Sequence, residues 1–268
     1  MRRLHFLYLT IPLVVLVMTA FTAGAEPPQR EITVFAAASL TNALNEIAAE
    51  YETVTPGVRV VMNYGSSSKL AAQILEGAPA DVFASANARQ MANVVDGSFI
   101  DGDVDYFASN RLVGIVPADN PARIERLADL GQLGVTLVLA LPGVPVRDYT
   151  DQFVKLVEAD PDYGPTFSSG FYANVVSEED NVRRVTAKVA IGEADAGVVY
   201  ISDVTPDIAN DIQQIPIPEE YNISAIYPIG LLNNASESDL ARDFIAYVLS
   251  SDGQAILKKW GFGPRPLD

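Results

Sequence analysis

From Glu31 onward, continuous apolar runs alternate with segments whose apolar residues recur at helical spacing. "ITVFAAA" predicts a buried strand, and Leu40, Leu44, Ile47 and Ala48 then keep the helical period up to Tyr51. "VRVVMNY" predicts a second strand, followed by a helix carrying Leu70, Ile74 and Leu75 that stops at Gly77. "DVFASA" and "ARQMANVV" repeat the pair, with Gly97 as the stop. Three strand-helix pairs in fewer than 80 residues predict a parallel sheet with helices on its faces.

The alternation hesitates through "DGDVDYFASN", which reads as a polar surface turn, and restarts with "RLVGIVP" and "VTLVLAL". A helix across Asp151 to Val157, a strand "GFYANVV", a helix from Val182 to Ile191 and a strand "AGVVYIS" complete a second α/β unit. The chain ends with "IYPIGLLN" and two helical stretches, "ESDLARDFIAYVLS" and "DGQAILKKWGF". No repeat relates the two units and no low-complexity linker separates them. The division that follows is a first lobe from 26–108 plus 228–268, and a second lobe from 109–227.

Ahead of Glu31 the pattern changes character. Two arginines precede the apolar run "FLYLTIPLVVLVMTAF" and then "TAGAEPP", where Ala23 and Ala25 are the small residues that a signal peptidase reads. Residues 1–25 are thus expected to be a signal peptide, the competing reading being an uncleaved membrane anchor. A lipoprotein anchor needs a cysteine, and the chain of 268 residues has none. The expected product is a soluble exported protein, periplasmic in a cell with two membranes.

Composition narrows the chemistry. The only histidine, His5, leaves with the signal peptide, so thiolate nucleophiles, Cys/His zinc sites, disulfides and histidine general bases lose their residues. Removal of Arg2 and Arg3 leaves 16 basic residues against 34 acidic, a charge of −18, which repels a nucleic-acid backbone.

In open α/β sheets, ligands bind beyond the carboxyl ends of strands, where helix N-termini present free N–H groups. At the first junction, "VFAAASLTNAL", three alanines precede Ser39; at the second, "NYGSSSKLAA", Gly65 permits a turn and Ser66, Ser67 and Ser68 crowd onto a helix start. In the second unit, "LPGVPVRDYTDQF" leaves N–H groups near Val146 free. "SEEDNVRRV" offers Asp180 or Asn181 as a cap ahead of Val182, and Tyr200 ends an apolar run with a phenol. Donors without cations suit a small, fully deprotonated oxyanion, because a protonated ligand oxygen would need an acceptor.

These segments resemble the periplasmic molybdate-binding proteins that feed ABC transporters. "ITVFAAASLTNAL", "GSSSKLAAQILEGAPADVFASA", "NRLVGIVP", "DNVRRV", "GVVYISD" and the terminal "WGF" stand in the family's order and at its approximate spacing. The resemblance implies a type II periplasmic binding protein: two α/β lobes, each a mostly parallel sheet flanked by helices, with the ligand in the cleft between them. It implies that Ser39 and Ser67 give N–H and hydroxyl, Val182 its N–H and Tyr200 its hydroxyl. Val146 falls at the family's loop alanine, although "VPVRDY" departs from the usual "VPAG". Molybdenum would be held as molybdate, or tungsten as tungstate, with no protein ligand to the metal atom and no cofactor. The implied partners are a permease and its ATPase; no enzymatic activity is implied, and the protein is expected to be monomeric.

Other readings are weaker. Ser66 and Lys69 form a Ser-x-x-Lys pattern of serine hydrolases, but Lys-Thr-Gly and Ser-Asp-Asn are absent. Asp101, Asp103 and Asp105 alternate as calcium ligands do, yet Tyr106 and Leu112 stand where an EF-hand needs glycine and glutamate. Within the binding-protein reading, sulfate and thiosulfate remain alternative ligands.

Overall fold

The computed structural model describes residues 30–266, so the expected signal peptide lies outside the described residues. Two five-stranded sheets, each flanked by helices, make up the molecule. The first has the order β2-β1-β3-β10-β4, from β1 (Arg30–Ala37), β2 (Val58–Gly65), β3 (Val82–Ala84), β4 (Ile100–Asn110) and β10 (Ala225–Leu232). The second has the order β7-β6-β8-β5-β9, from β5 (Leu112–Pro117), β6 (Leu137–Ala140), β7 (Val175–Glu179), β8 (Ala196–Tyr200) and β9 (Ile212–Ile215). Both sheets are mixed. β1 pairs in parallel with β2 and β3, and β6 with β7 and β8, whereas β10 and β5 run antiparallel to their neighbours.

Helices α1 (Thr41–Val54), α2 (Ser67–Leu75) and α3 (Ala88–Asp96) follow the first three strands. α1 buries Ala43, Leu44, Ile47, Ala48 and Tyr51, the face expected from their spacing. Leu44 and Ile47, both fully buried, each contribute about 1.5–3 kcal/mol. In the second unit α4 (Pro145–Ala159), α5 (Gly164–Ala173) and α6 (Val182–Ala190) cover the sheet, and α7 (Ser238–Leu249) and α8 (Ser251–Lys259) close the chain back on α1. Lys259 and the indole N–H of Trp260 both bond Glu46 on α1, each at 2.8 Å. Among the described residues, no helix is long and apolar enough to cross a membrane.

Four segments differ from expectation, the first being the helix expected across Asp151 to Val157, which begins earlier, at Pro145, because proline is favoured at the first helical position, and runs to Ala159. "DGDVDYFASN" is not a turn but most of β4, an edge strand paired with β10 through two register shifts. Its outer half is exposed, so Asp101, Asp103 and Asp105 stand in water on a strand whose apolar signal is confined to Phe107 and Ala108. Arg242 pairs with Asp101. "GFYANVV" is split: Gly170 to Ala173 finish α5, and the strand is Val175–Glu179. Pro165 starts that helix, Phe167 and Phe171 bury one face of it, and Gly170 lies so close to the Gly131 carbonyl that an added Cβ would overlap it. β9 was not expected at all, because only its two end residues, Ile212 and Ile215, are buried.

Register places the junctions. β1 and β2 pair from Arg30 with Val58 to Ala37 with Gly65, so the two strands end side by side and their following turns start together. β6 and β7 likewise end together at Ala140 and Glu179. The chain passes between sheets at Arg111 and again between Ile215 and Ala225.

Candidate functional site

Between the two sheets lies a small pocket, lined by Ala37, Ala38, Ser39, Gly65, Ser66, Ser67 and Ala86 from one side, and by Val144, Pro145, Val146, Asn181, Val182 and Tyr200 from the other. All five residues singled out in the sequence face this one space, and no ionisable carboxylate or cationic side chain is among its lining.

Three helix N-termini converge here. Pro145 has no N–H and occupies the first position of α4, so the first available N–H of that helix is Val146's. The first hydrogen bonds of the three helices come from Leu70 to Ser66 O, Arg147 and Asp148 to Val144 O, and Arg184 to the Asn181 side chain. Among the described residues no acceptor serves the N–H of Ser67, Val146 or Val182, which are the orphan donors of a helix's first turn. Asn181 rather than Asp180 caps α6; Asp180 instead accepts from the Asn181 amide and pairs with Arg184.

The hydroxyls are held by what stands behind them. Ser67 is fully buried, and its Oγ accepts the Ala86 N–H at 2.9 Å. A backbone N–H can only donate, so the Ser67 proton is left for the pocket. Ser39 Oγ lies 3.1 Å from the Tyr227 phenol oxygen. Tyr200 is buried and its hydroxyl has no protein partner among the described residues. Burial drives the Tyr200 and Tyr227 phenols well above their ordinary pKa, so both stay protonated and able to donate.

One ion pair flanks the pocket without entering it. Arg183 on α6 sits 3.0 Å from Asp203, a wholly buried carboxylate, and its other terminus reaches the Ser39 carbonyl at 3.4 Å. Burial pushes Asp203 up to about 6, and Arg183 opposes that rise. The cation therefore spends its charge on Asp203 and a backbone oxygen, leaving the lining neutral.

Direct contacts also bridge the two units, close in sequence to the lining residues Ala86, Val144 and Val146. Arg89 pairs with Asp148 at 2.6 Å, the Asn87 amide donates to the same carboxylate at 3.1 Å, and Gln90 donates to the Gly143 carbonyl at 3.1 Å. Ser66 and Lys69 make no hydrolase pair: Ser66 Oγ accepts from Ser68, and Lys69 is exposed. Sequence reasoning passed over Ala86, Asn87 and Arg89, although the same rule of reading the carboxyl end of each strand applies to β3. It also passed over Tyr227, Asn110 and Arg183, for which no local signal exists.

The chain matches the family described as bacterial extracellular solute-binding proteins over residues 32–263. It is 37% identical over 240 residues to the molybdate-binding protein ModA of Mycobacterium tuberculosis strain H37Rv, covering 90% of this chain and 87% of that one. In fold it is similar to the periplasmic molybdate-binding protein of Azotobacter vinelandii, with a TM-score of 0.75 at 21% identity, covering 88% of this chain and all of that one. It is also similar in fold to the sulfate-binding protein SubI of M. tuberculosis, with a TM-score of 0.78 at 19% identity over 88% of this chain and 87% of that one.

Proposed function

The chain belongs to the bacterial extracellular solute-binding proteins, and from that premise we propose that it binds molybdate or tungstate for delivery to an ABC importer. It is a binding protein of type II periplasmic architecture, not an enzyme. The observation that carries the ligand assignment is a pocket without carboxylate or cationic side chains in which three first-turn N–H groups and the hydroxyls of Ser39, Ser67 and Tyr200 converge. Such a site stabilises a compact dianion through neutral dipoles in a dry cleft, and it offers no base to transform one. Ser39, Ser67, Val146, Val182 and Tyr200 are the proposed ligand contacts. Export fits the leader, with cleavage after Ala25 and release into the periplasm. The proposed partners are a membrane permease pair with its ATPase.

Fold likeness extends to a sulfate-binding protein, so the ligand is decided by titration. Calorimetry of the exported protein with molybdate, tungstate, sulfate and phosphate in turn is expected to show one-to-one binding of the first two and far weaker binding of sulfate and phosphate. Tighter binding of sulfate than of molybdate would overturn the assignment in favour of a different tetrahedral anion.

Transport requires that occupancy change the protein's shape. Ser39 and Ser67 belong to one unit, and Val146, Val182 and Tyr200 to the other, so an ion is fully coordinated only when the units meet. That difference in affinity between open and closed states is what shifts the equilibrium. The hinge is proposed at the two crossings, Arg111 and 216–224, with the Arg89–Asp148 bridge forming on closure. Small-angle scattering is expected to show a smaller radius of gyration with saturating molybdate than without it. An unchanged profile with binding confirmed in the same sample would rule out closure as the signal.

A further inference from the structure

Behind Ser39 stands a chain of hydrogen bonds whose direction is dictated from its far end. Asn110, the last residue of β4, is buried, and its Oδ1 faces the Arg111 N–H at 2.9 Å. An N–H cannot accept, so this contact fixes the orientation of the amide and turns its NH₂ the other way. Its two protons go to Ser202 Oγ at 2.7 Å and to the Tyr227 phenol oxygen at 3.4 Å.

Tyr227, on β10, is wholly buried, its ring packed edge-on against Phe107, Phe262 and Tyr200. Having accepted from Asn110, the phenol has one neighbour left for its own proton, Ser39 Oγ at 3.1 Å. The opposite direction, with Ser39 donating, would strand a phenol proton inside the core, and an unmade buried hydrogen bond is costly. Ser39 Oγ therefore accepts from Tyr227, and its own proton faces the pocket. Ser67 is treated the same way by the Ala86 N–H.

We propose that Tyr227 and Asn110 are positioning residues that commit the Ser39 proton to the pocket and so tune it toward fully deprotonated oxyanions and against protonated ones. Neither residue is among those that line the pocket. The inference rests on the oxyanion reading of the pocket. A serine oxygen has two lone pairs; with one taken by Tyr227 the hydroxyl cannot donate back into the core, so its proton is committed to the pocket and a single lone pair is left to accept from a ligand O–H.

The test is a double-mutant cycle of Tyr227→Phe and Ser39→Ala, each protein titrated with molybdate and with inorganic phosphate at a pH where phosphate is mostly the singly protonated dianion. Tyr227→Phe is expected to lower molybdate affinity about three- to tenfold, and to lower the ratio of molybdate to phosphate affinity by roughly tenfold. In the Ser39→Ala background the same change is expected to alter molybdate affinity less than about twofold, because the hydroxyl it acts through is gone. Asn110→Ala serves in the same cycle should Tyr227→Phe fail to fold. An equal effect of Tyr227→Phe in both backgrounds, or an unchanged ratio, would overturn the proposal while leaving molybdate binding intact. A parent protein that does not bind molybdate would remove the functional reading, and this proposal with it.

Discussion

Ser67→Asp is expected to abolish molybdate binding. Ser67 is the first residue of α2, fully buried, with its oxygen against Ala86 N–H and its proton toward the pocket. A carboxylate there would stand roughly 5 Å from a dianion, and one charge against two at an effective dielectric of about 20 costs about 7 kcal/mol. That is beyond what a calorimeter can follow. The fold should survive, because an acidic side chain at a helix N-terminus is favourable to the helix dipole. Ser67→Ala separates charge from hydrogen bonding: it keeps the N–H, removes one donor, and should weaken binding about tenfold to a hundredfold, since a charge-assisted bond contributes about 1.5–3 kcal/mol. Val182→Ala keeps its N–H and should cost little. Parental affinity in Ser67→Asp would place the ligand elsewhere.

The largest expected loss of stability comes from Phe171→Ala. Phe171 is wholly buried in the second unit, packed edge-on against Phe153 at 5.9 Å between ring centroids and tilted against Phe167 at 5.8 Å. Removing a buried phenyl costs about 3–5 kcal/mol, because the rigid surroundings collapse only partly into the space. For a protein of this size the melting temperature should fall by roughly 6–20 °C, read by circular dichroism or calorimetry. Tyr172→Ala, on the half-exposed face of the same helix, should cost less despite the similar ring. A fall of under about 2 °C for Phe171→Ala would mean that α5 does not pack by this face.

That helix shows where local pattern stops being informative. "GFYANVV" is aromatic and β-branched, the composition of a strand, and only contact decides otherwise. Phe171 reaches Phe153 and packs on Phe167 when the two lie one helical turn apart, and Gly170 lets the backbone settle on the Gly131 carbonyl. β4 fails for the opposite reason. An edge strand with its outer half in water carries little apolar alternation, so Asp101, Asp103 and Asp105 resemble a turn until β10 supplies their hydrogen-bond partners.

The other strands, β9 apart, and the strand-to-helix junctions that carry Ser39, Ser67 and Val182, were determined by the sequence alone, whereas the helix expected across Asp151 to Val157 begins earlier, at Pro145, and takes in Val146. Their signals are local: the apolar period, the stop at a glycine, a run of serines or an Asp-Asn pair at a helix start. Two things were left to the tertiary structure. The parallel register of β1 with β2 and of β6 with β7 brings junctions from distant parts of the chain to one pocket, and register is a property of paired strands, not of either one. The direction in which the Ser39 hydroxyl points is set by Tyr227, 188 positions away, and through it by Asn110. A hydroxyl carries no preferred direction of its own; it takes one only from the donor that folding places behind it.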